Sequence, residues 1–400
     1  MSSDKTKELP TPSRYARLAY LDGLRGWAAL AVFLGHLIRR FGFQYNELPE
    51  NGLVGKLLYK TPFDLLINGS YSVRIFFIIS GFSLSYYYFV NHSREKLMEM
   101  AFLRIFRLGV PMVCSAVIID GCLRMGWYHT RVIEPDFWSA VVGTVTEYLL
   151  GIKQGYSSYN AVFWTMTYEY YASMAIFFML MLAGNFFFWK RALIYLVLGV
   201  LLRDSIYLGF LLGVFLCDLT VNFEIQEKLK KRVSCLVFHR IEFVVFLSYL
   251  SIFTVLKQFP RLWSVLAYLI GENLFEYIML FFLVVMATLN GKYSRFLSNS
   301  VSGMLGKLSL SLYFVHMPVI YTFSMWLHGS IAPWFEDPVM AAMTTIGVTL
   351  PVTFFLSYLF WAIIEARLVR SVLSSLRQWF GWLSDSFRPY ALFGMNRILS

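Results

Sequence analysis

The chain is a succession of apolar runs, most of them near 20 residues long, separated by short polar connections. Wound as an α-helix, such a run matches the ~30 Å hydrocarbon thickness of a bilayer. The runs are continuous, whereas strands of a membrane barrel alternate apolar and polar positions. The pattern therefore predicts an all-α, polytopic membrane protein of about ten transmembrane helices. The expected spans are Leu18–Ile38, Val73–Val90, Leu108–Met125, Val162–Ala183, Leu193–Leu202, Ser205–Val221, Cys235–Leu256, Leu274–Leu289, Leu308–Leu327 and Val339–Ile364. The fifth and sixth are short, with only Arg203-Asp204 between them.

Composition agrees with the pattern. Hydrophobic residues make up 58% of the 400 positions and charged residues 15%, against ~25% charged in an ordinary soluble domain. Those values exclude a soluble globular protein and a disordered one. The formal charge is +11, which in a soluble chain would point to nucleic acid. Here the cations lie in the connections between apolar runs, so they read as orientation signals, and no nucleic-acid partner is expected. With ten spans, Lys and Arg favour the side of the N-terminus by roughly two to one, which predicts cytosolic termini. The expected organisation is a polar, basic cytosolic segment at 1–17, a transmembrane domain at 18–365 and a cytosolic amphipathic tail at 366–400. The four cysteines lie in or beside apolar segments without CxxC spacing, and are expected as buried free thiols.

Ionisable groups inside membrane segments are costly, so they mark function efficiently. The first span carries Arg25 and His36. Eleven residues apart, they share a helix face to within about 20° and lie ~16 Å apart along the axis. An imidazole exchanges its proton near neutral pH, as activation of a hydroxyl group requires. At the cytosolic mouth of the third span, Arg104 and Arg107 are three residues apart and face one way on a helix. Arginines so placed grip phosphates through charge-assisted hydrogen bonds, or simply anchor the helix. Glu169 lies inside the fourth span and needs a cation, a histidine or a proton. In the ninth span Ser309, Tyr313 and His316 line one face. That stripe faces protein or water rather than lipid. No metal site is expected.

Taken in order, these residues resemble the acyltransferase-3 family. The resemblance runs from Tyr20 to about Arg370. It rests on LDGLRG followed by His36, on FFIISGFSLS with Ser80, on FLRIFRLGVP, on FWTMTYEYY with Trp164 and Glu169, and on SLSLYFVHMPV with Ser309, Tyr313 and His316. Arg74, Thr165 and Leu310 depart from the family's usual residues, and Met317 stands between His316 and Pro318. The wording of the first span looks more like eukaryotic, especially fungal, members. The resemblance implies a multispan enzyme that moves an acyl group, acetyl by default, from acyl-CoA to a hydroxyl of a small-molecule, lipid or glycan acceptor. It implies His36 as catalytic base or acyl carrier, with Glu169 and His316 beside it in the chemistry. Arg25, Arg104 and Arg107 would hold the acyl-CoA co-substrate, and Ser80 and Tyr313 the acceptor. No permanently bound cofactor is implied. The competing class is a secondary transporter of an organic anion or lipid, also built of about ten helices with buried charges. Paired broken helices and internal repeats, which would favour it, are not evident in the sequence.

Overall fold

A computed structural model describes residues 18–43, 67–128, 134–152, 159–223, 271–289 and 291–379, with single positions between 259 and 268. Among the described residues there are helices and no strands. In chain order they are α1 (Ala19–Ile38), α2 (Gly69–Asn91), α3 (Arg94–Arg124), α4 (Thr144–Leu150), α5 (Phe163–Ala183), α6 (Phe188–Leu201), α7 (Leu208–Asn222), α8 (Glu272–Leu289), α9 (Gly291–Leu297), α10 (Ser300–Val319), α11 (Met325–Ile331) and α12 (Pro338–Phe360). Wider, π-type turns extend α1 through Arg39–Phe43, join α10 to α11 through Ile320–Ser324, and prolong α12 through Trp361–Val369.

Six described helical segments are long and apolar enough to cross a membrane: Ala19–Phe41, Gly69–Asn91, Arg94–Arg124, Phe163–Ala183, Ser300–Trp334 and Pro338–Trp379. They correspond to the expected first, second, third, fourth, ninth and tenth spans. The expected eighth span forms α8, but a bend of 92° separates it from α9. The fifth and sixth appear as α6 and α7, of 14 and 15 residues. At 1.5 Å per residue each is ~20 Å long, short of a bilayer core. The seventh lies outside the described residues.

Two helices outrun their sequence patterns. α3 begins fourteen residues before Leu108, because Ser93 caps it by accepting a hydrogen bond from the Lys96 N–H at 3.2 Å. His92, in the left-handed region at φ 51°, makes the sharp turn out of α2. The last helix continues unbroken past Ile364 to Trp379. Cys217 is a buried free thiol, as expected, whereas Cys114 and Cys122 are only half-buried. Cys235 lies outside the described residues.

The chain divides into two compact units, residues 1–83 with 193–312, and 84–192 with 313–400. The first is held by close backbone approaches at glycine. A Cβ on Gly26 of α1 would lie 2.4 Å from the Gly306 N of α10, and one on Gly306 would lie 2.5 Å from the Asp22 O. Without a hydrophobic drive between helices in lipid, such small-residue contacts supply the packing. α2 and α7 cross in the same way at Gly81 and Gly213. In the second unit the turn from α5 to α6 is closed by buried Arg191. Its guanidinium donates to the carbonyls of Gly184 and Phe186 and lies 5.6 Å from the Phe89 ring. A cation expected to mark orientation is thus a structural pin.

Candidate active site

In the first unit, α1 carries Arg25 and His36. Arg25 reaches back along its own helix and across to α2. It donates to Asp22 Oδ1 at 3.1 Å and to Ser83 Oγ at 3.4 Å. Ser83 is three residues past Ser80, which is buried on α2. Trp27 donates its indole N–H to Ser302 Oγ at 3.0 Å, fixing the rotation of α1 against α10. At the other end Gly35 brings the Ile67 carbonyl so close that a Cβ would lie 2.1 Å from its oxygen. His36 follows it on the helix, half-buried. Nothing larger than glycine fits next to the imidazole's own backbone.

The second unit holds the remaining candidates in two clusters. In the first, Arg104 of α3 is ion-paired with Glu169 of α5 and donates its Nε–H to Ser173 Oγ at 2.7 Å. Both side chains are nearly buried, 13% and 12% exposed. Glu169 and Ser173 are one turn apart, so a single face of α5 receives the guanidinium. The buried Tyr148 of α4 donates to the Arg104 carbonyl at 3.4 Å and packs at a tilt against the Tyr170 ring. The carboxylate's partner is therefore a cation, one of the three outcomes its position allowed. Arg107 differs from Arg104 in being exposed. The two arginines that looked equivalent by spacing occupy different environments.

The second cluster surrounds α10. His316 is fully buried, and its ring lies 5.9 Å from that of Tyr313. The Tyr313 hydroxyl shares a hydrogen bond of 2.9 Å with Thr165 Oγ1 at the start of α5. Thr165 also donates to the Val162 carbonyl. Behind this pair stand two residues that the sequence reading missed. Asn160 donates from Nδ2 to the Phe314 carbonyl at 2.9 Å and to Ser115 Oγ at 3.3 Å. Ser115 of α3 donates to the same carbonyl at 3.4 Å. Asn160 precedes α5 and reads in sequence as an ordinary helix-start residue; its long-range partner has no local signal. Ser309, expected on the face of Tyr313 and His316, spends its hydroxyl within its own helix on the Gly306 carbonyl.

The structure thus brings together Arg104 with Glu169, and Tyr313 with His316. Arg25, His36 and Ser80 belong to the first unit, and the other five candidates to the second. Among the described residues no group of three or more His, Cys, Asp or Glu side chains is placed to hold a metal ion.

The acyltransferase-3 family model, an acyltransferase domain, matches residues 18–364. An O-acetyltransferase, PaAT-1 of Phomopsis amygdali, is 28% identical over 256 residues, which cover 54% of this chain and 50% of that protein. The chain thus spans about half the length of that curated relative. No solved structure matches it. The family match takes in every candidate residue from Arg25 to His316, and the chain belongs to the acyltransferase-3 family.

Proposed function

We propose that the chain is a membrane-embedded O-acetyltransferase that moves an acetyl group from cytosolic acetyl-CoA to a hydroxyl of a small-molecule, lipid or glycan acceptor. The observation that carries this reading is the family match over 18–364, joined by a relative named as an O-acetyltransferase. Six apolar helices support its place in a membrane.

In the proposed reaction His36 takes the proton from the acceptor hydroxyl, whose oxygen attacks the thioester carbonyl. The new C–O bond forms as the C–S bond breaks, and the departing thiolate regains a proton from the imidazolium. An acetyl-His36 intermediate is the two-step form of the same transfer. Exposed Arg107 meets the phosphates of the donor, with Arg25 as a further cation for the carrier. Arg104 stands ready behind Arg107, its charge balanced by Glu169. Tyr313 and His316 supply donors for the developing oxyanion or hold the acceptor, as Ser80 does. Termini in the cytosol place the arginines on the side where acetyl-CoA is found.

The test is release of free CoA thiol by the purified protein given acetyl-CoA, with and without a panel of sugar, terpenoid and lipid acceptors. Acceptor-dependent release is expected, and His36→Ala should abolish it while the protein still elutes as a single peak in detergent. Turnover by that variant at the normal rate refutes the role of His36. The absence of any thiol release with every acceptor counts against the reaction itself.

A further inference from the structure

We infer that Asn160 is a positioning residue for the Tyr313–His316 face of α10, through its hydrogen bond to the Phe314 carbonyl. The inference rests on the reading of Tyr313 and His316 as active-site groups.

The argument begins at Pro318. A proline in a helix has no N–H to give to the carbonyl four residues before it. For Pro318 that carbonyl belongs to Phe314, the residue between Tyr313 and His316 on the chain. A buried carbonyl deprived of its helical partner must find another. Asn160 Nδ2 supplies it at 2.9 Å, with Ser115 Oγ further off at 3.4 Å. Asn160 is itself 0% exposed, so water does not compete for the amide. Its other end is also tied, because Oδ1 accepts the Val162 N–H at 3.3 Å and its carbonyl accepts the Phe163 N–H at 3.0 Å.

The consequence lies two residues further on. Thr165, whose hydroxyl meets Tyr313, begins the helix that Asn160 starts. One side chain therefore fixes the first turn of α5 and the proline-weakened turn of α10. The two contacts set the axial register of α10, and with it the places of the Tyr313 hydroxyl and the His316 ring. A small slip in that register moves both groups while leaving the apolar packing of Phe163 on Phe314 largely in place. Misplacement of a reacting geometry by about 1 Å is enough to cost roughly a hundredfold in rate.

The logic gives a specific test. Pro318→Ala restores the N–H, so the helix can satisfy the Phe314 carbonyl by itself. The Asn160 amide then becomes redundant. Four proteins are compared: wild type, Asn160→Ala, Pro318→Ala and the double variant. Thiol release is measured over a range of acetyl-CoA, and thermal retention of the detergent-soluble peak is measured in parallel. Asn160→Ala is expected to lower kcat by about tenfold to a hundredfold with KM for acetyl-CoA within about twofold. In the Pro318→Ala background the same change is expected to cost less than about threefold. Asn160→Leu, of similar size but without any donor, should behave as Asn160→Ala does. An equal loss of kcat in both backgrounds overturns the proposal, and so does a retained kcat in Asn160→Ala. A wild type without turnover refutes the acetyltransferase reading instead, a result that no coupling between the two sites can produce.

Discussion

At the scale of single residues, the two arginines of α3 divide the labour that spacing assigned to both. Arg104 is held by Glu169 and Ser173 in a nearly buried pair. Removing one partner leaves the other charge uncompensated, which costs about 3–5 kcal/mol in a buried pair. Arg104→Ala and Glu169→Gln are therefore expected to lower the melting temperature of the solubilised protein. The double variant Arg104→Met with Glu169→Leu should recover much of that loss, because the two desolvation costs disappear together. Arg107 is exposed. Arg107→Ala is expected to keep the melting temperature and to raise KM for acetyl-CoA about tenfold, the worth of one charge-assisted hydrogen bond. High salt should erase most of that difference. If Arg107→Ala instead shifts only the acceptor KM, the arginine has been matched to the wrong substrate.

At the scale of elements, helix contacts are set by absent side chains. Gly26 and Gly306 let α1 and α10 meet backbone to backbone. Gly26→Ala would put a methyl 2.4 Å from a backbone nitrogen, and backbone does not yield as a flexible side chain does. A loss of about 1–3 kcal/mol is expected, the usual cost of overpacking. Gly303 lies one turn earlier on α10 with nothing within 4 Å of its missing Cβ. Gly303→Ala should be neutral or stabilising by up to ~1 kcal/mol, since alanine is the better helix former. Thermal retention in detergent separates the two. An equal response from both glycines argues that the effect is helix propensity and not the crossing.

At the scale of the whole molecule, the charge distribution makes a topological prediction. A cysteine placed at Ser93, between α2 and α3, in a background without native cysteines should react with an impermeant maleimide only after the membrane is opened. Labelling of intact cells or sealed vesicles from outside would invert the scheme and with it the side on which Arg107 meets its donor. The last helix adds a second test. At Trp379 it packs on Phe102 of α3, with ring centroids 6.0 Å apart, and Arg377 pairs with Glu99 at 3.3 Å. Arg377 is exposed, so the ion pair contributes little by itself, but the aromatic contact is worth about 0.5–1.5 kcal/mol. Trp379→Ala should thus loosen the start of α3. Faster hydrogen exchange at 94–106 is expected, and unchanged exchange there would mean that α3 stands without this support.

Hydropathy alone determined that the chain is helical and membrane-bound, because a bilayer imposes one length and one secondary structure on each apolar run. It also brought out Arg25, His36, Arg104, Glu169 and His316, since an ionisable group in such a run is conspicuous wherever it points. The count of ten spans was less secure. Hydropathy does not separate a helix long enough to span from one of only 14 or 15 residues, as α6 and α7 show. Pairing was beyond the sequence altogether. Arg104 and Glu169 lie 65 residues apart, and Asn160 and Phe314 lie 154 apart. No local rule links such positions. A carboxylate advertises that it needs a partner, and a proline advertises which carbonyl it has freed. Only the tertiary structure chooses who answers, because the choice depends on which helices pack side by side.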